Sequence, residues 1–285
     1  MELLSVDNDP KTTKGRKYGV LTAPQYLAPE KQSGIANLCP FASAGCAGAC
    51  LFTAGHGIFA DVRQARINRT ILFMQDRSTY WTKLIFEIAR FERKAHKLGM
   101  TPAVRLNATS DIKWESTPVT IDGITPDPRL GKVVLLGGGA AIMSLFPSVQ
   151  FYDYTAWPYD KRPTESLPSN YDLTFSRKEN NDAEVLHNLH NGRRVAVVFN
   201  TRKGEPAPTS YTAIDGSVWP VVNGDDSDVR FQDPVGVVVA LYAKGKARKD
   251  TSGFVVDASK VARVEYGAVK ATHEDRMAIL EAPMD

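Results

Sequence analysis

The chain has 285 residues, of which 43% are hydrophobic and 24% charged, and its formal net charge is +3. That balance belongs to a folded globular protein, excludes a disordered chain, and is too weakly basic to argue by itself for a nucleic-acid partner. No uninterrupted apolar stretch is long enough to cross a bilayer and no basic region followed by an apolar run opens the chain, so a soluble protein of the reducing cytoplasm, with no membrane partner, is expected.

In chain order, residues 1–17 are polar and are expected to form a loose N-terminal arm, followed by a single α/β domain over 18–285 that carries the loop 39–50. Tyr18-Gly-Val-Leu-Thr22 is short and β-prone. From about Ala60 to Leu98, the apolar residues Ile71, Leu72, Leu84, Ile85, Ile88, Ala89 and Phe91 recur at helical spacing, which predicts two helices with a break near Asp76–Ser78 and a C-terminal cap at Gly99. Beyond Gly99, short apolar runs ending in polar residues predict strands over 102–107, 132–136, 149–153, 171–176, 194–199, 218–222 and 235–241. Pro220 marks the run 218–222 as an edge strand or no strand at all. Segments 140–146, 182–191 and 225–231 read as helix or loop between them. Alternating strand and helix implies parallel pairing with right-handed crossovers: a doubly wound sheet or, preferred here, a complete or partial TIM-like (β/α) barrel with a cysteine-rich metal loop near its N-terminus.

The three cysteines of the chain fall within twelve residues, Cys39-Pro-Phe-Ala-Ser-Ala-Gly-Cys46-Ala-Gly-Ala-Cys50. Crowded thiolates repel and oxidise, and an odd number cannot be paired into disulfides, so the cluster points to a shared metal. Structural zinc prefers four ligands and paired Cys-x-x-Cys knuckles, whereas six and three residues separate these cysteines and the nearest histidine is His56. A Cys3His zinc site is the alternative. The favoured reading is a [4Fe-4S] cluster on Cys39, Cys46 and Cys50, with one iron left for a substrate, a cofactor or a non-cysteine ligand. Gly45, Gly48 and the small residues around them let backbone wrap an inorganic core and offer it amide N–H groups.

In parallel α/β folds ligands bind at the carboxyl ends of the strands. Here those ends supply Asn107, Ser110, Asp111, Asp153, Ser176, Arg177 and Asn200, the candidate groups for a small polar cofactor or substrate. Asn, Asp and Ser also cap turns routinely, so each residue alone says little. Gly137-Gly138-Gly139 lacks a dinucleotide fingerprint and reads as a tight turn, and the acidic residues Asp225, Asp226 and Asp228 lack the spacing of a calcium loop. The basic patches Lys11–Lys17 and Lys244–Lys249 read as solvated surface.

Several of these segments together carry a resemblance. Cys-Pro-x-Ala-x-x-x-Cys-x-x-x-Cys, Ala65-Arg66-x-x-Arg69-Thr70, Arg105-Leu-Asn-x-Thr-Ser-Asp-Ile112, Gln150-Phe-Tyr-Asp-Tyr-Thr155, Leu173-Thr-Phe-Ser176 and Asp228-x-Arg-Phe231 resemble the phage-encoded gene product eighty-eight family. That resemblance implies a bacteriophage source and action in the cytoplasm of the infected bacterial host. The cysteine loop after an early strand is also similar to that of radical S-adenosylmethionine enzymes, which implies S-adenosylmethionine on the open iron, although their usual spacing is three then two residues. Two classes of function follow. The first is an iron–sulfur enzyme of redox or radical type acting on a small polar or nucleotide-like substrate, and the second is a non-catalytic metal-binding protein, structural or electron-transferring.

Overall fold

The computed structural model describes residues 1–6, 10–121 and 139–260. Eight strands among them form one sheet: β1 (Val20–Pro24), β2 (Thr101–Arg105), β3 (Gln150–Thr155), β4 (Tyr171–Ser176), β5 (Val195–Phe199), β6 (Ser210–Thr212), β7 (Val218–Asn223) and β8 (Val238–Tyr242). Their spatial order is β1-β2-β3-β4-β5-β8-β7-β6, and every pair is parallel except the β6–β7 hairpin. Parallel neighbours that are also consecutive in sequence require crossovers that all run over the same face. The helices α3 (Ala60–Gln75), α4 (Arg77–Lys97) and α6 (Asp182–His190) obey this, because Tyr171, Leu173 and Phe175 of β4 point to one face and join the α3/α4 core to the α6 core.

The α/β class and the alternation expected from the sequence are found. The closed barrel is not, because the sheet is open, with β1 at one edge and the β6–β7 hairpin at the other. A doubly wound sheet is not formed either, since the crossover helices share one face from β1 to β5. Pro220 proves compatible with an interior position: it pairs with Ser210 of β6, and β7 begins to pair with β8 only at Val221, so its missing N–H falls where the strand changes partner. The three-residue β6 is too short to leave a periodic signal. The strand expected over 132–136, with Gly137 and Gly138, lies outside the described residues.

The two helices expected over 60–98 meet at Asp76, whose side chain accepts the Thr79 N–H at 3.0 Å and starts α4. Tyr80, Leu84 and Ile88 form one buried row of α4, Trp81, Ile85 and Ala89 the next, and Gly99 ends the turn after the helix at φ +65°. Trp81 and Trp114 are fully buried with ring centroids 5.8 Å apart, wedged against Phe73 and Tyr80. No described helix is long and apolar enough to cross a membrane.

The loose arm expected over 1–17 is tied down at its start. Leu3 and Leu4 are buried in the core, their N–H groups donate to the Glu87 carboxylate at 2.7–3.0 Å, and Leu4 bridges to Gln25. The short helix α1 (Pro10–Gly15) then packs on β1.

Candidate metal centre and adjoining cavity

The face of the sheet away from the crossover helices is where side chains of a different kind collect. Arg105 of β2, Tyr154 of β3, Ser176 of β4, Ala196 and Val198 of β5 and Leu241 of β8 form the floor of a cavity of about 400 Å³. Cys39, Cys46 and Cys50 stand in the wall of that same cavity, together with Glu30, Phe52 and, from the turn Gly245–Lys249 that follows β8, Lys246 and Ala247. The cysteine loop and the strand ends thus meet at one place.

The loop is built by local chemistry. Glu30, at φ +45°, turns the chain back so that its carbonyl accepts the Leu38 N–H at 3.1 Å, while the Leu38 carbonyl accepts the Asp111 N–H at 2.8 Å. Asn37 Oδ1 accepts the Cys39 N–H at 2.9 Å. Ser43 caps the short helix α2 (Ala44–Gly48), its Oγ accepting the Cys46 N–H at 3.2 Å. From the segment after β4, Glu179 accepts the Gly45 N–H at 2.8 Å and the Ser43 hydroxyl at 2.6 Å, and Lys178 Nζ donates to the Phe41 carbonyl at 2.8 Å. Gly45 has no room for a side chain: a Cβ there would lie 2.3 Å from Ser252 Oγ and 2.7 Å from Glu179 Oε2.

Burial pushes the Cys39 and Cys46 thiols up to about 12, and it raises Cys50. Lys178 acts against this at Cys46, and Arg66 of α3 does so at Cys50, where Arg66 is itself buried over the Tyr26 and Phe52 rings. Thiols raised in this way ionise more readily when a cation, a basic side chain or a bound metal, supplies the compensating charge. Among the described residues no three His, Cys, Asp or Glu side chains stand close enough to grip a single ion. His56, the nearest histidine and the candidate fourth ligand of the alternative zinc site, does not line the cavity; its ring lies 6.5 Å from that of Phe59.

The seven strand-end residues divide into three sets. Asn107, Ser110, Asp111, Ser176 and Arg177 line the cavity. Asn107 is fully occupied there: its Oδ1 accepts from Ser110 Oγ, the Ile112 N–H and Trp114 Nε1, and its Nδ2 donates to Ile112 O and Asp153 Oδ2. It shapes the turn after β2 and is not free to seize a ligand. Asp111 binds the Ala156 N–H at 2.7 Å and Arg162 Nη1 at 3.2 Å, while Arg162 also forks onto Glu115. Burial raises the Asp111 carboxyl to about 6 against the pull of Arg162. Arg177 donates to the carbonyls of Gly253 and Phe254.

Asp153 lies beneath the cavity, outside its lining, accepting the Asn107 N–H at 2.6 Å and the Tyr171 hydroxyl at 2.8 Å. Burial raises its carboxyl to about 7. Asn200 is not brought to the site. Its side chain bonds Asp257 and the Ala258 N–H on the segment after β8.

Sequence reasoning missed Arg105, Asp228, Lys178 and Glu179. Arg105 Nη1 donates to Asp228 Oδ2 at 2.8 Å, joining residues 123 apart in sequence. Both belong to segments that carried the family resemblance, but no local spacing links them. A family model described as Gene product 88 matches residues 2–258. No curated protein and no solved structure gives a significant match to the chain.

Proposed function

The chain belongs to the Gene product 88 family, and from the site described above we propose that it is an iron–sulfur protein whose Cys39, Cys46 and Cys50 hold a [4Fe-4S] cluster for redox or radical-type chemistry on a small polar ligand. The observation that carries this reading is that three half-buried thiols from one loop share a cavity with the carboxyl ends of the central strands. Cysteines separated by six and three residues suit a core whose irons each take a separate thiolate better than they suit a zinc site built from paired Cys-x-x-Cys knuckles. When bound, such a cluster supplies one-electron transfer and one iron without a cysteine.

The chain's own residues do the rest. Glu179, Ser43 and Lys178 fix the loop, so that the thiols are presented without reorganisation. Lys178 and Arg66 offset the negative charge that three thiolates bring. Phe52, Ala196, Val198 and Leu241 keep the cavity partly apolar, which protects a reactive species from water. In this proposal the radical S-adenosylmethionine likeness rests on the three-cysteine loop that follows β1 at the edge of the parallel strands. Action in the infected bacterial host is part of this proposal, and the family match supports it.

The test is anaerobic purification with iron, sulfide and zinc counted per chain. About four irons and four sulfides support the proposal, whereas one zinc without iron overturns it in favour of a structural site.

A further inference from the structure

Arg105 is the last residue of β2, and its side chain lines the cavity floor at only 15% exposure. Its guanidinium is held on two sides, by Asp228 through Nη1 at 2.8 Å and by the Tyr154 ring, 4.6 Å away. Its Nε is buried and has no hydrogen-bond partner. A buried donor left without a partner is costly, and the fork of a guanidinium fits the paired oxygens of a carboxylate or phosphate. The other charges of the lining do not explain this vacancy in bonding: Asp111 is taken by Arg162 and Lys244 by Asp225, while Lys246 on the turn after β8 adds a second cation with no partner among the described residues.

We infer that the cavity takes a ligand bearing an acid group, carboxylate or phosphate, which docks on Arg105 with Lys246 assisting. The inference deepens the proposed function, because it rests on the cavity being the place of chemistry and names the class of molecule that enters it. Glu30, an anion in the wall near Cys50, disfavours the same acid group at the thiol end and so orients the ligand.

Isothermal calorimetry on the anaerobically purified full chain tests this, with inorganic phosphate and succinate as separate probes. Binding of at least one is expected; the one that binds identifies the acid. Arg105→Gln should weaken it tenfold or more, Arg105→Lys nearly as much because the fork is lost, and Lys246→Gln two- to fivefold. Lys246 is exposed, so its variant reports even if Arg105 variants fold poorly. No heat with either probe, or equal affinity in the wild-type and all three variants, overturns the inference. Iron and sulfide are counted on the same samples. Acid binding without iron keeps this inference and removes the cluster; iron without acid binding does the reverse.

Discussion

Glu179 accepts the backbone N–H of Gly45 at 2.8 Å across 134 residues of chain, and this one bond couples the helix that carries Cys46 to the end of β4. With the Ser43 hydroxyl on its other oxygen, the carboxylate closes a clamp that no short-range pattern encodes. Glu179→Ala should therefore destabilise the chain by about 1–2 kcal/mol, the scale of charge-assisted bonds at a partly exposed site, and lower iron per chain. Urea midpoints and metal analysis check both; an unchanged iron content would show that the clamp does not position the thiols.

Gly45 and Gly48 stand on the same short helix but face different surroundings. A Cβ at Gly45 meets Ser252, Glu179 and Phe254 at 2.3–2.8 Å, whereas at Gly48 it meets nothing within 4 Å. Gly45→Ala should cost about 1–3 kcal/mol through overpacking, and Gly48→Ala should stay within about 0.5 kcal/mol of the parent. Thermal unfolding of the pair side by side gives the comparison, and equal midpoints would contradict the packing described.

How much of this was legible in the sequence differs element by element. The helices over 60–97 were readable because Leu84, Ile85, Ile88 and Ala89 recur at helical period and Asp76 and Gly99 punctuate them. Strands β4 and β5 were readable because apolar residues bounded by polar ones leave few alternatives. Barrel closure was not legible, because whether a parallel sheet closes depends on what covers its last strand, and here a hairpin with a three-residue strand does so. The cysteines announced the site by their crowding, and five of the seven polar strand ends reach its cavity. Asn200 fails because a later segment claims it, and Arg105–Asp228 escapes notice because the pair is created only by the fold.

Asp153 provides a pH test. Burial raises its carboxyl to about 7 despite the bonds from Asn107 and Tyr171, so between about pH 4, where the unfolded carboxyl titrates, and pH 7 the folded state holds the proton more tightly. Its stabilising contribution is complete below that window and is lost as pH rises through it. Asp153→Asn removes this part of the fall and leaves the smaller part due to Asp111, raised to about 6. Urea midpoints at pH 4.5 and 8 should differ less in the variant than in the parent. A fall of the same size in both would assign the slope elsewhere.

Asp111 and Asn200 separate the structural from the peripheral. Asp111→Asn weakens the tie to Arg162, which retains its fork onto Glu115, and should cost about 1–3 kcal/mol while the cluster persists. Asn200→Ala should change neither iron content nor ligand affinity, since its bonds lie on the segment after β8. Loss of the cluster in the first variant would move Asp111 into the metal's own shell; loss in the second would contradict the mapping of the site.

The most direct test of the central claim is electron paramagnetic resonance of the anaerobically reduced protein, with and without S-adenosylmethionine, in the parent and in Cys39→Ala, Cys46→Ala and Cys50→Ala. The account predicts a four-iron signal in the parent that the added ligand perturbs, and its loss in each single variant. A parent without an iron–sulfur signal, or a full signal in any of the three variants, would contradict it.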